Sequence, residues 1–203
     1  MITTTHLVVN VGISRWRGGR GRGGLLAERL PRRLFLLGGV APDLGLFILT
    51  GLSAVWFPAV RGLSLDETFR LVFDDLFYDD PVFVVAHNLL HAPFVVLGLV
   101  ALGVTLRRRT THGRLGAAVQ AFGLGCLAHT ALDIPVHHDD GPLLLFPLEW
   151  SVRFASPVSY YDPDHYGAIL APLDLAITVV GLSAVVIVWA RRRRAAGRSR
   201  PPV

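Results

Sequence analysis

Four long apolar stretches, separated by arginine-rich or acidic connections, constrain the fold of this chain most strongly. They cover about residues 34–57, 81–106, 115–136 and 168–190. About 20 consecutive apolar residues suffice for a helix to cross the hydrocarbon core of a bilayer. Only 17% of the residues are charged, against about 25% in soluble domains. We therefore expect an all-α integral membrane protein, with four transmembrane helices in a single helical domain over residues 1–190.

The remaining segments predict smaller elements around these spans. Residues 1–14 are apolar but too short to cross a membrane, which predicts a re-entrant or interfacial helix. Residues 65–78 have helical periodicity and predict a short amphipathic helix at the membrane surface. The connection 137–167 is rich in Pro, Gly, Tyr and Asp, which predicts a structured external loop. The arginine- and glycine-rich segment 15–33 predicts a flexible loop, and residues 191–203 a disordered basic cytoplasmic tail.

The distribution of arginines predicts the orientation in the membrane. All 20 basic residues are arginine, and 17 of them lie before the first span, between the second and third, or after the fourth. Because positively charged loops stay in the cytoplasm, we expect both termini there and the connections 58–80 and 137–167 outside. The arginines flank apolar spans and do not alternate with aromatic residues on one face. The net charge of +5 therefore indicates contact with anionic lipid and no nucleic-acid partner.

Ionisable residues inside the apolar spans are the candidate functional residues. His87 and His91 are four residues apart in the second span, and His129 and Asp133 are four apart in the third, so each pair should share a helical face. Counting along the helices places them, with Asp43, within a layer roughly 15 Å deep. Charged groups at this depth are costly and usually mark a working site or a buried pair.

Histidine and aspartate side chains are also ligands for divalent metals, above all zinc. We predict that His87, His91, His129 and Asp133 hold one ion, which lowers the pKa of a water molecule so that it can attack a substrate. Asp43 is either a further ligand or the general base that accepts the proton of that water. Four residues at the mouth or behind the ligands are candidates for supporting roles, namely His137, His138, Asp139 and Asp174.

Several of these residues also have simpler interpretations. An intramembrane histidine often only donates a hydrogen bond between helices, and Asp43, which follows Pro42, is equally compatible with a helix cap. Asp174 follows Pro172 and suits a helix start, while His137 and His138 suit a solvated loop. Gly116, Gly123 and Gly125 suit close helix packing.

Four sequence segments resemble a known family. They read THLVVNVG (5–12), LLGGVAPDLG (36–45), AHNLLHAP (86–93) and GLGCLAHTALDIPVHHDDGPLLLFPLEW (123–150). In this order they resemble the bacterial membrane-bound, metal-dependent hydrolases described as LexA-binding, inner-membrane-associated hydrolases. The resemblance covers most of residues 1–150 and implies His6, Asp43, His87, His91, His129 and Asp133 as candidate ligands.

The chain departs from the family pattern at two points. Gly45 stands where the family carries a second acid, and His87 and His91 are one residue closer together than the family's histidines. One metal ion is therefore favoured over two. LexA binding has no counterpart in the residues of this chain.

These observations lead to two functional hypotheses. The first is a membrane-embedded metal-dependent hydrolase in the bacterial inner membrane, acting on a lipid-linked or amphiphilic ester or phosphoester. The second is a non-enzymatic protein that transports or handles a metal ion or protons through the same His/Asp layer. A purely structural hydrogen-bonded His/Asp core is a third reading. The sequence favours the hydrolase, because the inner halves of the second and third spans contain few polar residues.

Overall fold

The computed structural model describes residues 1–15 and 30–198, and every regular element in them is helical. This confirms the predicted all-α class. The α-helices of the described residues are α1 (Thr3–Arg15), α2 (Arg32–Gly38), α3 (Ala41–Arg61), α4 (Leu65–Arg70), α5 (Phe77–Asp79), α6 (Pro81–Asn88), α7 (Pro93–Arg108), α8 (Gly113–Asp133) and α9 (Gly167–Arg198). Most of the flexible loop predicted over residues 15–33 lies outside the described residues.

Three helical segments are long and apolar enough to cross a membrane: Ala41–Arg61, Gly113–Val136 and Gly167–Arg191. Most apolar side chains of α3 and α9 are exposed, which suits contact with lipid and supports a membrane protein. The stretch predicted as the span 81–106 is instead a pair of helices, α6 and α7, that meet at 47°. Pro93 opens α7 and Ala92 before it is extended, because a proline disfavours helical geometry in the preceding residue.

The other boundaries also differ in detail from the predicted ones. The stretch predicted as the span 34–57 contains a break after α2, and α3 begins only at Ala41. At the other end of the chain, α9 continues to Arg198, whereas the sequence predicts a disordered tail from residue 191. Residues 199–203 lie outside the described part of the chain. Helix ends are decided by local capping and packing, so they follow hydropathy only loosely.

Helix α8 packs closely against α7 and α2, and glycines permit the close approach. A methyl group on Gly103 of α7 would collide with the backbone of Gln120, and one on Gly116 with that of Arg107. Gly38 and Gly125 meet between α2 and α8 in the same way. The predicted packing role of the third-span glycines is confirmed, because small residues let helix backbones approach each other in apolar surroundings.

Helix α1 packs against α9 and buries the polar side chains of Thr5, His6 and Asn10. Thr5 and Thr178 lie 2.5 Å apart through their hydroxyl oxygens, and the Asn10 side chain donates to the carbonyl of Gly125 at 3.3 Å. The helix is about 20 Å long at 1.5 Å per residue. Its first residues lie against Asp133 and its last residues beside Arg32.

Two connections lie next to the end of α8 that carries Asp133. The segment predicted as an amphipathic helix is helical from Leu65 to Asp79, with a π-helical stretch between α4 and α5. The connection 137–167 is ordered by backbone bonds, such as that from Tyr160 to the carbonyl of Val136. Leu143 and Phe146 of this connection are buried with Val84 and Ala92. The predicted structured loop is therefore present, and it covers α6 and the start of α7.

Candidate metal centre

Four side chains from three parts of the fold converge at the end of α8. Asp43 comes from the first turn of α3, His91 from the turn after α6, and His129 and Asp133 from successive turns of α8. One nitrogen or oxygen of each lies within 4.8 Å of those of the other three. His91, His129 and Asp133 are buried, and Asp43 is partly exposed. The cluster can hold a metal ion.

The spacing of the four atoms suits a tetrahedral ion. Nε2 of His91 and Nε2 of His129 are 2.8 Å apart, and each lies 3.1 Å from Oδ2 of Asp133. Oδ1 of Asp43 lies 3.5 Å from the first nitrogen and 3.4 Å from the second. Ligands about 2.1 Å from a tetrahedral zinc are about 3.4 Å from one another. These five distances lie between 2.8 and 3.5 Å, close to this value, and the remaining pair, Asp43 with Asp133, lies within 4.8 Å.

The opposite ring nitrogens of the two histidines bond to backbone carbonyl groups. Nδ1 of His91 lies 3.0 Å from the carbonyl oxygen of His87, and Nδ1 of His129 lies 3.0 Å from that of Gly39. A carbonyl oxygen only accepts hydrogen bonds, so both Nδ1 atoms must be the donors. In the neutral rings, Nε2 then carries a lone pair directed into the cluster. This is the arrangement by which proteins orient histidine ligands.

The turn that carries His91 is held by the side chain of Asn88. This side chain donates to the carbonyl of Val84 at 2.8 Å and accepts from the amide of Leu143 at 2.7 Å. Thr130 of α8 donates to the carbonyl of His91 at 2.9 Å. Because α6 ends at Asn88, His87 and His91 do not share one regular helix, and the predicted common helical face is absent.

His87 consequently lies beside the four-atom group and outside it. Its ring packs between Phe77 and His91, with centroid distances of 4.8 and 4.7 Å. The residue is 8% exposed, and neither ring nitrogen has a hydrogen-bond partner among the described residues. The predicted ligand set therefore differs from the observed group, in which Asp43 takes the place expected for His87.

His6 also lies next to the group and contacts its members. Its ring stacks on that of His129 with centroids 3.7 Å apart. Its Nε2 is 3.0 Å from Oδ1 of Asp133, the oxygen that does not face His91 and His129. The resemblance implies His6 as a ligand. In the structure His6 contacts two of the four candidate ligands, His129 and Asp133, and helps to position them.

Residues at the start of the chain supply further contacts, which sequence reasoning missed. The Thr3 hydroxyl donates to Oδ2 of Asp43, and the amino group of Met1 donates to Oδ1 of Asp133 at 2.8 Å. Oδ2 of Asp174 accepts from the amide of Ile2 at 2.7 Å. Asp174 thus holds α1 in place and does not approach the four ligand atoms directly. No spacing within the sequence signals these contacts, because they join residues more than 39 positions apart.

The residues predicted at the mouth have different neighbours. Nδ1 of His137 is 2.9 Å from Oδ1 of Asp140, and its Nε2 is 3.5 Å from Oδ1 of Asp133. Burial alone would lower the pKa of His137, but its bonds to these two carboxylates raise that pKa above its ordinary value. His138 instead donates to the carbonyl of Ser156 and stacks on His165. His138 therefore stabilises the fold of the loop 137–167.

A cavity of about 580 Å³ adjoins the cluster, a volume within the range of small-molecule sites. Asp43, His91 and Asp133 line its base, and Asp139 lines its mouth. Its walls come from α3, from the helical segment 65–79 and from the loop 159–162. Aromatic side chains supply much of this wall, namely Phe47, Phe69, Phe73, Phe77, Tyr78, Tyr160 and Tyr161.

Comparison with models of protein families, with curated proteins and with solved structures finds no match to this chain. The chemistry of the site is therefore the basis on which its function has to be inferred.

Proposed function

We propose that this protein is a membrane-embedded, metal-dependent hydrolase that acts on a lipid-linked or amphiphilic ester or phosphoester. One observation carries the proposal: two imidazole lone pairs and two carboxylate oxygens face a common point from His91, His129, Asp43 and Asp133. Four electron-rich atoms in apolar surroundings repel one another unless a metal ion or protons lie between them. The donors are two nitrogens and two oxygens, which suits zinc.

The position of each side chain suggests its role. A divalent ion held by these groups would supply Lewis-acid chemistry: it would polarise a carbonyl or phosphoryl oxygen and lower the pKa of a water molecule. Asp133 is held through its other oxygen by His6 and the Met1 amine, which suits a fixed ligand. Asp43 is more exposed and lines the cavity, so we assign it as the general base that accepts a proton from the attacking water. His91, His129 and Asp133 are then the three ligands, and the fourth position of the ion is left for that water.

The fold suggests how the site sits in the membrane. We take the bent pair α6–α7 as a fourth, broken span, since irregular backbone at membrane depth is tolerated where it lines a cavity. The arginine-rich connections face the cytoplasm of a bacterial inner membrane, and the cavity opens towards the outer side. In this orientation α1 starts within the bundle at the level of the cluster, and its Arg15 end reaches the cytoplasmic side.

Two further features favour a hydrolase over transport. Beyond the cluster, α7 has no ionisable side chain from Pro93 to Leu106, and the strongly polar side chain in the middle of α8 is Gln120, which bonds to Arg107. A relay across the membrane would need polar groups there. The resemblance of residues 5–150 to membrane-bound metal-dependent hydrolases suggests the same class of reaction.

Metal analysis tests the centre directly. Purified protein should contain about one equivalent of zinc or another divalent metal, and His129→Ala plus Asp133→Ala should remove it. The matched control is His112→Ala plus Asp75→Ala, which changes two exposed residues of the same types. Metal that survives in the first variant, or is absent from the native protein, would refute the proposed centre.

Cysteine labelling tests the orientation. With Cys126 replaced by alanine, Ser151→Cys in the loop should react with an impermeant reagent added outside the cell. Thr111→Cys, in the connection between α7 and α8, should react only after the membrane is opened. The reverse pattern would overturn the proposed topology.

A further inference from the structure

The mouth of the cavity carries an excess of negative charge. Besides Asp43 and Asp133 at the base, the cavity is lined by Asp74, Asp139, Asp140 and Asp162. No arginine is among the described residues that line it. An anionic headgroup is normally bound by arginine in a bidentate manner, so this mouth is a poor site for one.

Aromatic rings line the cavity together with these carboxylates. Among them are Tyr78, Tyr160 and Tyr161. Burial, followed by the nearby Asp139, raises the pKa of Tyr78 to about 12, and burial also raises that of Tyr160, so both are neutral phenols at pH 7. Aromatic faces beside carboxylates are the surroundings in which proteins bind amines and quaternary ammonium groups.

Two cations of the described residues offset part of this charge and leave the rest of the surface free. The amino group of Met1 lines the cavity and is paired with Asp133 at 2.8 Å. The guanidinium of Arg153 lies 5.4 Å from the ring centroid of Phe77 and 5.6 Å from that of Tyr78, and it donates to the carbonyl of Gly141. It therefore offsets some of the acidic charge and occupies these two rings. Tyr160 and Tyr161 lie in the loop on the other wall.

His87 is an independent sign that a ligand completes the cavity. It is more than nine-tenths buried and lines the cavity beside His91, and within residues 1–15 and 30–198 neither of its ring nitrogens has a hydrogen-bond partner. A buried polar group without a hydrogen bond is costly. A polar group of a ligand, held between the metal cluster and the mouth, would satisfy it.

The apolar side of the cavity can receive a hydrocarbon chain. Phe47, Phe69 and Phe73 line it, and the side chains of all three are exposed. Phe47 belongs to α3, whose apolar face suits lipid contact. A hydrocarbon chain that entered along these rings would reach the cavity that adjoins the cluster.

We infer that the substrate is an amphiphile whose headgroup carries an amine or quaternary ammonium cation. The cation lies among Asp74, Asp139 and the loop tyrosines, the polar linkage lies beside His87 and the cluster, and the tail follows the phenylalanines. This inference rests on the proposed hydrolase for the fate of the linkage. The binding preference that it predicts does not need turnover.

Equilibrium binding of surfactants with one chain length tests the inference. Decyltrimethylammonium, decyl sulfate and decyl maltoside are titrated calorimetrically into the purified protein in neutral micelles, with empty micelles as the blank. The ammonium probe should bind at least about tenfold more tightly than the sulfate. The protein has a net charge of +5, and non-specific attraction would favour the sulfate, so this preference reports on the cavity.

Two double variants locate the effect. Asp74→Asn plus Asp139→Asn removes two charges from the lining and should weaken decyltrimethylammonium binding about tenfold, with decyl maltoside unaffected. Asp75→Asn plus Asp79→Asn removes the same charge from neighbouring residues outside the lining and should leave both affinities unchanged. Circular dichroism checks that both variants are folded.

The outcomes separate the two proposals. The proposed cationic headgroup is overturned if decyl sulfate binds the native protein as tightly as decyltrimethylammonium. It is also overturned if the two double variants have equal effects. Both conclusions hold even if metal is present. Loss of the metal centre in elemental analysis, with the ammonium preference intact, overturns the hydrolase and leaves the cation site. The comparison of probes on the native protein stands even if a variant fails to fold.

Discussion

The amide of Leu143 donates to the side chain of Asn88 at 2.7 Å, which ties the loop after α8 to the last residue of α6. Asn88 is fully buried, and its amide group donates to Val84 at the same time. The next residues form the turn that carries His91 into the cluster. One buried amide thus joins the folding of the loop to the position of a candidate ligand.

Asn88→Ala should destabilise the protein and weaken the metal site. It leaves the Leu143 amide without a partner inside the protein, which costs about 1–3 kcal/mol. The measurement is the free energy of unfolding in detergent, together with metal content. Thr105→Ala is the control, because the Thr105 hydroxyl donates to Ala101 on an exposed face. Equal effects of the two variants would argue against a special role for Asn88.

Gly125→Ala should be strongly destabilising. Its methyl group would meet the backbone of Phe35 and Gly38 in α2, and overpacking of this kind costs about 1–3 kcal/mol or more. Gly98→Ala in α7 is the matched control, because its added methyl group meets no atom of another helix within 4 Å among the described residues. It should raise stability by up to about 1 kcal/mol through helix propensity. Thermal unfolding of both proteins gives the comparison, and a tolerated Gly125→Ala would contradict the close packing of α2 on α8.

His6→Phe should retain the stack on His129 and lose the contact with Asp133. Removal of a group that supports a ligand typically lowers metal affinity about 10–100-fold. Competition with a zinc chelator measures the dissociation constant. His112→Phe serves as the control at an exposed position. An unchanged constant in the His6 variant would mean that the stack alone positions the site.

Metal removal should lower the stability of the native protein and leave that of His91→Ala unaffected. An ion that binds only the folded state stabilises it by about 2.7 kcal/mol at a concentration 100 times its dissociation constant. Unfolding curves with zinc and with excess chelator give this difference. His138→Ala, in the loop, should respond to zinc like the native protein. If His91→Ala is stabilised as much as the native protein, the ion binds elsewhere.

The stability of the first turn of α4 should depend on pH through the carboxylate of Glu67. Ser64 donates to its carboxylate from both hydroxyl and backbone amide, and these bonds hold the pKa of Glu67 below its ordinary value. A depressed pKa means that the contribution to stability is present above the ordinary pKa and is lost as the pH falls through the lowered one. Carbon-13 titration of the carboxyl group should show this lowered pKa, and Ser64→Ala should raise it. Ser183→Ala in α9 should leave it unchanged.

Hydropathy located the apolar helices well, because a helix that crosses a bilayer satisfies its backbone within a single segment. The three helices of spanning length, the amphipathic helix over 65–78 and the close-packing glycines could all be predicted from local patterns. The break in the 81–106 stretch could not, although Pro93 marks its position. A proline permits a kink, but its neighbours decide whether the helix continues.

The sequence by itself determined that α8 presents His129 and Asp133 together, since residues four apart lie on one face of any α-helix. Only the tertiary structure decided which other groups meet them. His91 reaches the cluster and His87 does not, because Asn88 ends α6 and binds the loop 55 residues later. Helix α1 brings Thr3 and His6 to the cluster, and α3 brings Asp43. No local periodicity encodes contacts between segments so distant along the chain.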